Sequence, residues 1–267
     1  MTAFLVALAV LIGGYFIYGL AVEKIFGTDP NRPTPVQTKA DGIDYVAMPT
    51  WKLFLIQFLN IAGLGPIFGA IMGVMFGPAA YLWIVFGTIF AGAVHDFVSG
   101  MISLRSGGIS LPEIVGKELG VTVKQIMRVF SVVLLVLVGG VFVVTTSGLI
   151  ASMTPESLDA TFWAILIFCY YLLATMFPID KLIGNIYPLF AVVLLFMAVA
   201  LMGVMLSGTV PMPDPFAGGL GNRYPAGESA SHPIFPMLFI SIACGAISGF
   251  HATQSPMIAR CMPNERL

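Results

Sequence analysis

The sequence predicts an all-α integral membrane protein of about seven transmembrane helices. Three observations carry this: a scarcity of charge, seven long apolar runs, and a one-sided distribution of the basic residues. Hydrophobic residues make up 58% of the 267 residues and charged residues 9%, against roughly 25% charged in a soluble domain. The apolar runs fall at about 4–22, 51–76, 79–103, 126–150, 160–178, 183–207 and 233–260. Each is long enough to cross ~30 Å of hydrocarbon at ~1.5 Å per residue. Seven spans put Lys24, Arg32, Lys39, Lys52, Arg105, Lys117, Lys124, Arg128, Lys181, Arg260 and Arg266 on one side and Arg223 alone on the other, eleven against one. A bias of that size marks the cytoplasmic side. The N-terminus is therefore expected outside and the C-terminal end of the chain in the cytoplasm.

Residues 1–23 read as an extra N-terminal transmembrane helix. No Lys or Arg precedes the run, and the first, Lys24, follows it; a secretory signal has the opposite order. Residues 24–50 form a polar cytoplasmic linker. Five spans over 51–207 follow, separated by Gly77-Pro78, a charged segment at 104–125, an acidic loop at 151–159 and a tight Pro178-Ile179-Asp180-Lys181 turn. A Pro/Gly-rich loop at 208–232 is expected outside the cytoplasm, and 233–267 holds the last span. Trp51, Trp163 and Tyr187 lie near span ends, where aromatic anchors are common. Cys169, Cys244 and Cys261 are scattered in or beside apolar runs, which suits small buried hydrophobes.

Two spans are unlike the others. The second contains Asn60-Ile61-Ala62-Gly63-Leu64-Gly65-Pro66, and the last contains Gly245-Ala246-Ile247-Ser248-Gly249-Phe250-His251-Ala252-Thr253-Gln254-Ser255-Pro256. Glycine relaxes a helix and proline removes a backbone hydrogen bond. In lipid, the backbone groups so freed need protein, water or a ligand. Discontinuous helices at corresponding places in two halves point to a transporter's binding site. Here the pattern restarts after five helices and with the opposite direction, as an inverted five-helix repeat requires. The expectation is a first repeat at 51–207, the broken first helix of a second repeat at 233–267, and an N-terminal fragment of a longer polypeptide.

The candidate binding residues are Asn60, Gly63, Gly65 and Pro66 at the first break and Gly249, His251, Thr253, Gln254 and Ser255 at the second. For the second group the competing reading is capping of broken-helix ends. Gly65, Gly69, Gly73 and Gly77 form an every-fourth-residue ridge, which close helix packing explains for the last three. Gln57 shares a face with Asn60. Thr145, Thr146 and Ser147 suit bonding back to their own helix. His95 and Asp96 lie inside the third span, where ionisable groups are costly and mark function by default. They suit either a proton or ion coupling site, with His251 as a third candidate, or a structural hydrogen-bond network. Asp96 is placed toward the cytoplasmic end and His251 nearer the middle, so a contact between them is not expected.

Other classes are disfavoured. Twelve Lys and Arg in all, with a net charge of −1, leave little for a nucleic-acid surface. No HExxH, GxSxG or P-loop occurs, so no metal, no cofactor and no enzymatic activity are expected.

The stretches NIAGLGPIFG (Asn60–Gly69), HDFVSGMISLRSGGISLPE (His95–Glu113) and ACGAISGFHATQSPMIARC (Ala243–Cys261) resemble the carbon starvation protein A family over essentially the whole chain. The resemblance implies bacterial inner-membrane transporters induced when carbon runs short, with uptake of pyruvate together with protons, or of peptides. It also implies a LeuT-like inverted-repeat fold and proteins considerably longer than this chain. The leading expectation is thus secondary active uptake of a small carboxylate or peptide, coupled to a proton or ion. The alternatives are a membrane solute sensor that binds without transport, and an intramembrane enzyme using Asp96 and the histidines.

Overall fold

The computed structural model describes residues 2–176, 179–212, 214–225, 227–247 and 249–265, the side chains of 179–186, 244–246 and 249 excepted. Every regular element among them is a helix. Four helices are long and apolar enough to cross a membrane: Thr2–Phe26, Pro78–Arg105, Val121–Ser152 and Tyr187–Leu206. The count is five when the bent pair Thr50–Ile61 and Leu64–Phe76 is taken as one span. Of the seven expected spans, the remaining two coincide with shorter apolar helices, Ala160–Ala174 and Ile234–Ala243.

Helix α1 (Thr2–Phe26) is apolar up to Glu23 and Lys24 in its last turn and ends where Gly27 turns left-handed at φ 62°. It leans on α5 (Pro78–Arg105) through Tyr81, whose hydroxyl donates to the Ala3 carbonyl at 2.6 Å. Farther along, the rings of Tyr18 and Phe90 meet edge to face. The linker 24–50 contains one short helix, α2 (Pro35–Thr38), begun by Thr34 and closed by Gln37 reaching back to the Thr34 N–H.

Helices α3 (Thr50–Ile61) and α4 (Leu64–Phe76) meet at a 41° bend. Gly77, at φ 66°, reverses the chain into α5, with Pro78 in the first turn. Within α5, Trp83–Gly92 is wound as a wide π-helix. Helix α6 (Leu111–Leu119) lies along the start of α7 (Val121–Ser152), held by Glu113 between Lys124 and Arg128.

Helix α8 (Ala160–Ala174) is capped by the Asp159 carboxylate on the Phe162 N–H. It contacts α7, and Cys169 on it is exposed rather than buried as expected, like Phe162, Ile165, Phe168 and Leu172 of the same helix. Of the expected tight turn, Pro178 lies outside the described residues, while Ile179–Leu206 is one helix, α9. Ile179, Asp180 and Lys181 therefore open a helix instead of closing a turn. The loop 208–232 folds back on the end of α4. There Arg223 donates its N–H to the Met75 carbonyl at 2.7 Å, and Tyr224 packs on Phe76.

The last run forms α10 (Ile234–Leu238, continuing as Phe239–Ala246) and α11 (Gly249–Ala259). The two broken helix pairs, α3–α4 and α10–α11, lie side by side and antiparallel. Met48 donates its N–H to the Cys261 carbonyl at 3.3 Å. Gln57 meets Ser255, Gly69 lies against Ser241 and Gly73 against Ile242, and Phe76 packs with Leu238. From Met48 to Phe76 the partners run back from Cys261 to Leu238, so the two breaks face each other at about one level.

Candidate functional site

The breaks are where the backbone leaves the helix. At the first, Ala62 (φ −83°, ψ 33°) ends α3 and Gly63 (φ −75°, ψ −174°) is extended. Among the described residues no backbone hydrogen bond is made by the N–H groups of Gly63, Leu64 or Gly65 across this gap. Such freed groups at a helix N-terminus carry partial positive charge. Gly65 and Pro66 lie in the first turn of α4, where the missing proline N–H costs no helical bond.

At the second break Ile247 is extended (φ −141°, ψ 102°), and Ser248 lies outside the described residues. The expected break over Gly249–Pro256 is corrected: Gly249 opens α11, and the helix runs through Pro256 to Ala259. Loss of the one hydrogen bond that proline cannot make is offset by packing. Pro256 is buried in contact with α5, and its carbonyl accepts from Ser103 Oγ at 3.3 Å.

Three contacts set α11 beside the second half of α5: Asp96 on His251, Ser103 on Pro256, and Leu104 with Ala259. The first was not expected. His251 Nδ1 lies 2.6 Å from Asp96 Oδ2, and His95 Nδ1 lies 3.0 Å from Asp96 Oδ1. One carboxylate thus holds both imidazoles. The expected difference in depth fails because both residues stand nine positions before a basic residue at the same end, Arg105 and Arg260. The Asp96 backbone carbonyl also accepts from Ser99 Oγ at 3.1 Å.

His251 is buried, its Nε2 has no hydrogen-bond partner, and the Asn60 backbone carbonyl lies beside its ring. Gln57 Nε2 donates to Ser255 Oγ at 3.1 Å, leaving Gln57 Oε1 buried and without a partner. Buried polar atoms of this kind are rare and call for a water, ion or ligand. The side chains of Asn60 and Gln254 are half-buried and make no hydrogen bond among the described residues. Thr253 bonds back to the Phe250 carbonyl of its own helix at 2.7 Å, and Ser147 does the same to Val144. So Asn60, Gly63, His251 and Ser255, with Gln57, lie together near the facing breaks, joined from α5 by His95 and Asp96. Phe142 of α7, unnoticed in the sequence, covers this place: its ring meets Phe250 edge to face and is the side chain nearest Gly63.

A second cluster also escaped the sequence reading. Glu265, with its side chain 1% exposed, accepts from Arg32 at 2.9 Å, Arg105 at 3.1 and 3.2 Å, and the Asp29 N–H at 3.0 Å. Burial alone would raise its carboxyl, but the bonds from Arg105, Asp29 and Arg32 hold it below the ordinary 4.5. The sequence signal was slight: an acid beyond the last apolar run, on a side that also holds Arg32 and Arg105. No group of three metal-ligating side chains with suitable geometry occurs among the described residues.

Comparison with protein families matches Carbon starvation protein CstA over residues 1–158 and 150–265. The chain belongs to the CstA family. It is 43% identical to an uncharacterized membrane protein of Haemophilus influenzae, covering 99% of this chain and 84% of that protein. It is 30% identical to the peptide transporter CstA of Campylobacter jejuni, over 93% of this chain and 44% of that protein. It is 28% identical to the pyruvate/proton symporter BtsT of Escherichia coli, over 93% of this chain and 43% of that protein. The chain thus spans less than half the length of these two named transporters. The Haemophilus alignment runs over 310 positions, more than the chain's 267 residues, so that relative holds internal residues that this CstA-family chain lacks. No solved structure matches the chain. With its relatives and its apolar helices, this CstA-family chain is a multi-pass membrane protein of a transporter family.

Proposed function

We propose that the chain carries the substrate site of a secondary active transporter that takes up a small carboxylate such as pyruvate, or a peptide, during carbon starvation, with a proton as the coupling ion. It sits in a bacterial inner membrane as seven spans, N-terminus outside. Residues 51–207 form the first repeat of a LeuT-like core, and 233–267 begin the second. The observation that carries this reading is that the two breaks face each other with the Asp96–His251 pair and two unpartnered buried polar atoms between them. Freed N–H groups at Gly63–Gly65 suit a carboxylate, and an imidazole is the side chain suited to exchange a proton near neutrality. The peptide transporter and the pyruvate/proton symporter among the relatives supply the two substrate classes.

The test is uptake of labelled pyruvate and dialanine into proteoliposomes under an imposed pH gradient. Gradient-driven uptake is expected, with at least a tenfold loss when His251→Ala and Gln254→Ala are combined. Unchanged uptake in that double variant would remove the site assignment. Binding without counterflow would indicate a sensor. The Asp96–His251 contact equally suits an intramembrane enzyme; that reading predicts turnover of dialanine to alanine by the purified protein, and transport predicts none.

A further inference from the structure

His251 has different surroundings at its two ring nitrogens. Nδ1 faces Asp96 Oδ2 at 2.6 Å, while Nε2 is buried with no partner in a side chain only 4% exposed. An ionised carboxylate accepts but does not donate, so Nδ1 carries the hydrogen. In the neutral ring Nε2 is then a bare lone pair, and it repels any ligand that arrives with a carboxylate.

Resting on the transport reading above, the geometry points to Asp96 as the positioning residue that makes anion binding and proton uptake a single event. Asp96 locks His251 in the Nδ1–H form, so a carboxylate ligand is held at Nε2 only after a proton has been added there. In that step a hydronium ion gives up its proton and leaves as water, a new N–H bond forms at Nε2, and the ring passes from neutral to singly positive. The ligand carboxylate then accepts the new N–H. The added proton cancels the charge that the ligand brings, and the imidazolium separates two carboxylates that would otherwise repel across a low-dielectric site.

The surrounding charges leave this role to the one ring. His95 shares the Asp96 carboxylate at 3.0 Å, but its side chain is 34% exposed and it is not the ring lying beside Asn60. Helices α5, α3, α7 and α6 pack against α11. On α3 the one titratable side chain is Lys52, beside Trp51 at the far end. On α7, Lys124 and Arg128 are paired with Glu113 of α6, whose Lys117 and Glu118 lie at its C-terminal end. Arg105 of α5 is held by Glu265.

The experiment uses the purified chain in nanodiscs at pH 8. Pyruvate titrations in buffers of different ionisation enthalpy give the protons taken up per pyruvate bound. Nitrogen NMR of labelled histidine reports which ring nitrogens carry hydrogen. The chain has three histidines, His95, His232 and His251, so His251→Gln assigns the signal. Expected for the wild type is an Nδ1–H ring without ligand, a doubly protonated ring with pyruvate, and about one proton per pyruvate. Asp96→Leu removes the acceptor, so the Nε2–H form should appear and pyruvate should bind with proton uptake falling toward zero. Asp96→Asn, a closer match in shape, should move both readouts the same way. A wild-type ring with Nε2–H, or with both hydrogens, before ligand is added overturns the proposal. So do a full proton per pyruvate in both Asp96 variants, loss of binding in them with the Nδ1–H form unchanged, and loss of proton uptake in His95→Leu alone. If the wild type binds neither pyruvate nor dialanine, the transport reading fails, and the NMR readout still decides what Asp96 does.

Discussion

Gly69 on α4 is fitted so closely that a methyl group there would lie 2.8 Å from the Ser241 carbonyl of α10. Backbone cannot yield as a flexible side chain can, so Gly69→Ala should cost about 1–3 kcal/mol through overpacking, read as a fall in the thermal unfolding midpoint in detergent. Gly139→Ala on α7, where nothing lies within 4 Å, should be neutral or slightly stabilising through helix propensity. Glu265 gives a pH-dependent counterpart. Its folded carboxyl is held below 4.5, so its contribution is present above that pH and is lost as pH falls through the lower, folded value. Glu265→Gln should cost about 1–2 kcal/mol near neutrality, a modest figure because Arg32 and Arg105 both reach solvent. Acidification below about pH 4 should destabilise the wild type more than this variant, and equal acid sensitivity would contradict the role. The sequence marked Asp96 and His251 separately, because ionisable residues in apolar runs stand out. Their contact was obscured by measuring depth along each run instead of from its basic end. Glu265 carried almost no mark, since an acid beyond the last span looks like any solvated charge.

At the scale of the helix, glycine and proline correctly signalled that two apolar runs are interrupted. They signalled the position less well. Pro66 and Pro256 lie inside helices, and the chain leaves helical geometry at Ala62-Gly63 and Ile247. A proline in a first turn loses no bond, and the later Pro256 is buried against α5, so neither needs to be the break itself. Amide exchange tests the assignment. The N–H groups of Gly63, Leu64 and Gly65 should exchange at least tenfold faster than those in the middle of α7, which the helix ladder protects. Comparable protection at both places would mean that the first span is continuous.

At the scale of the molecule, the antiparallel register of the two broken spans predicts which positions cross-link. With Cys169, Cys244 and Cys261 replaced by serine, Gln57→Cys and Ser255→Cys should join under mild oxidation, as their side chains already meet at 3.1 Å. The pair Gln57→Cys and Thr253→Cys should not, because Thr253 bonds to its own helix. The eleven-to-one charge split makes a separate claim about orientation. A cysteine at Glu118 should react with an impermeant thiol reagent only after the cells are opened, and one at Gly218 should react in intact cells.

The pairing of the half-helices has a mechanical consequence. Helix α3 packs with α11, and α4 with α10, so the four rods form two stacked layers, each drawn from both spans. Between the layers α3 passes to α4 through the short non-helical stretch at 62–63 and α10 leaves helical geometry at Ile247, while the unbroken rod α5 touches both layers. Either layer can tilt by rotation about a few φ and ψ angles without breaking a helical hydrogen bond in the other. The geometry is that of two plates on a common pin, with His251 about one helical turn from the seam.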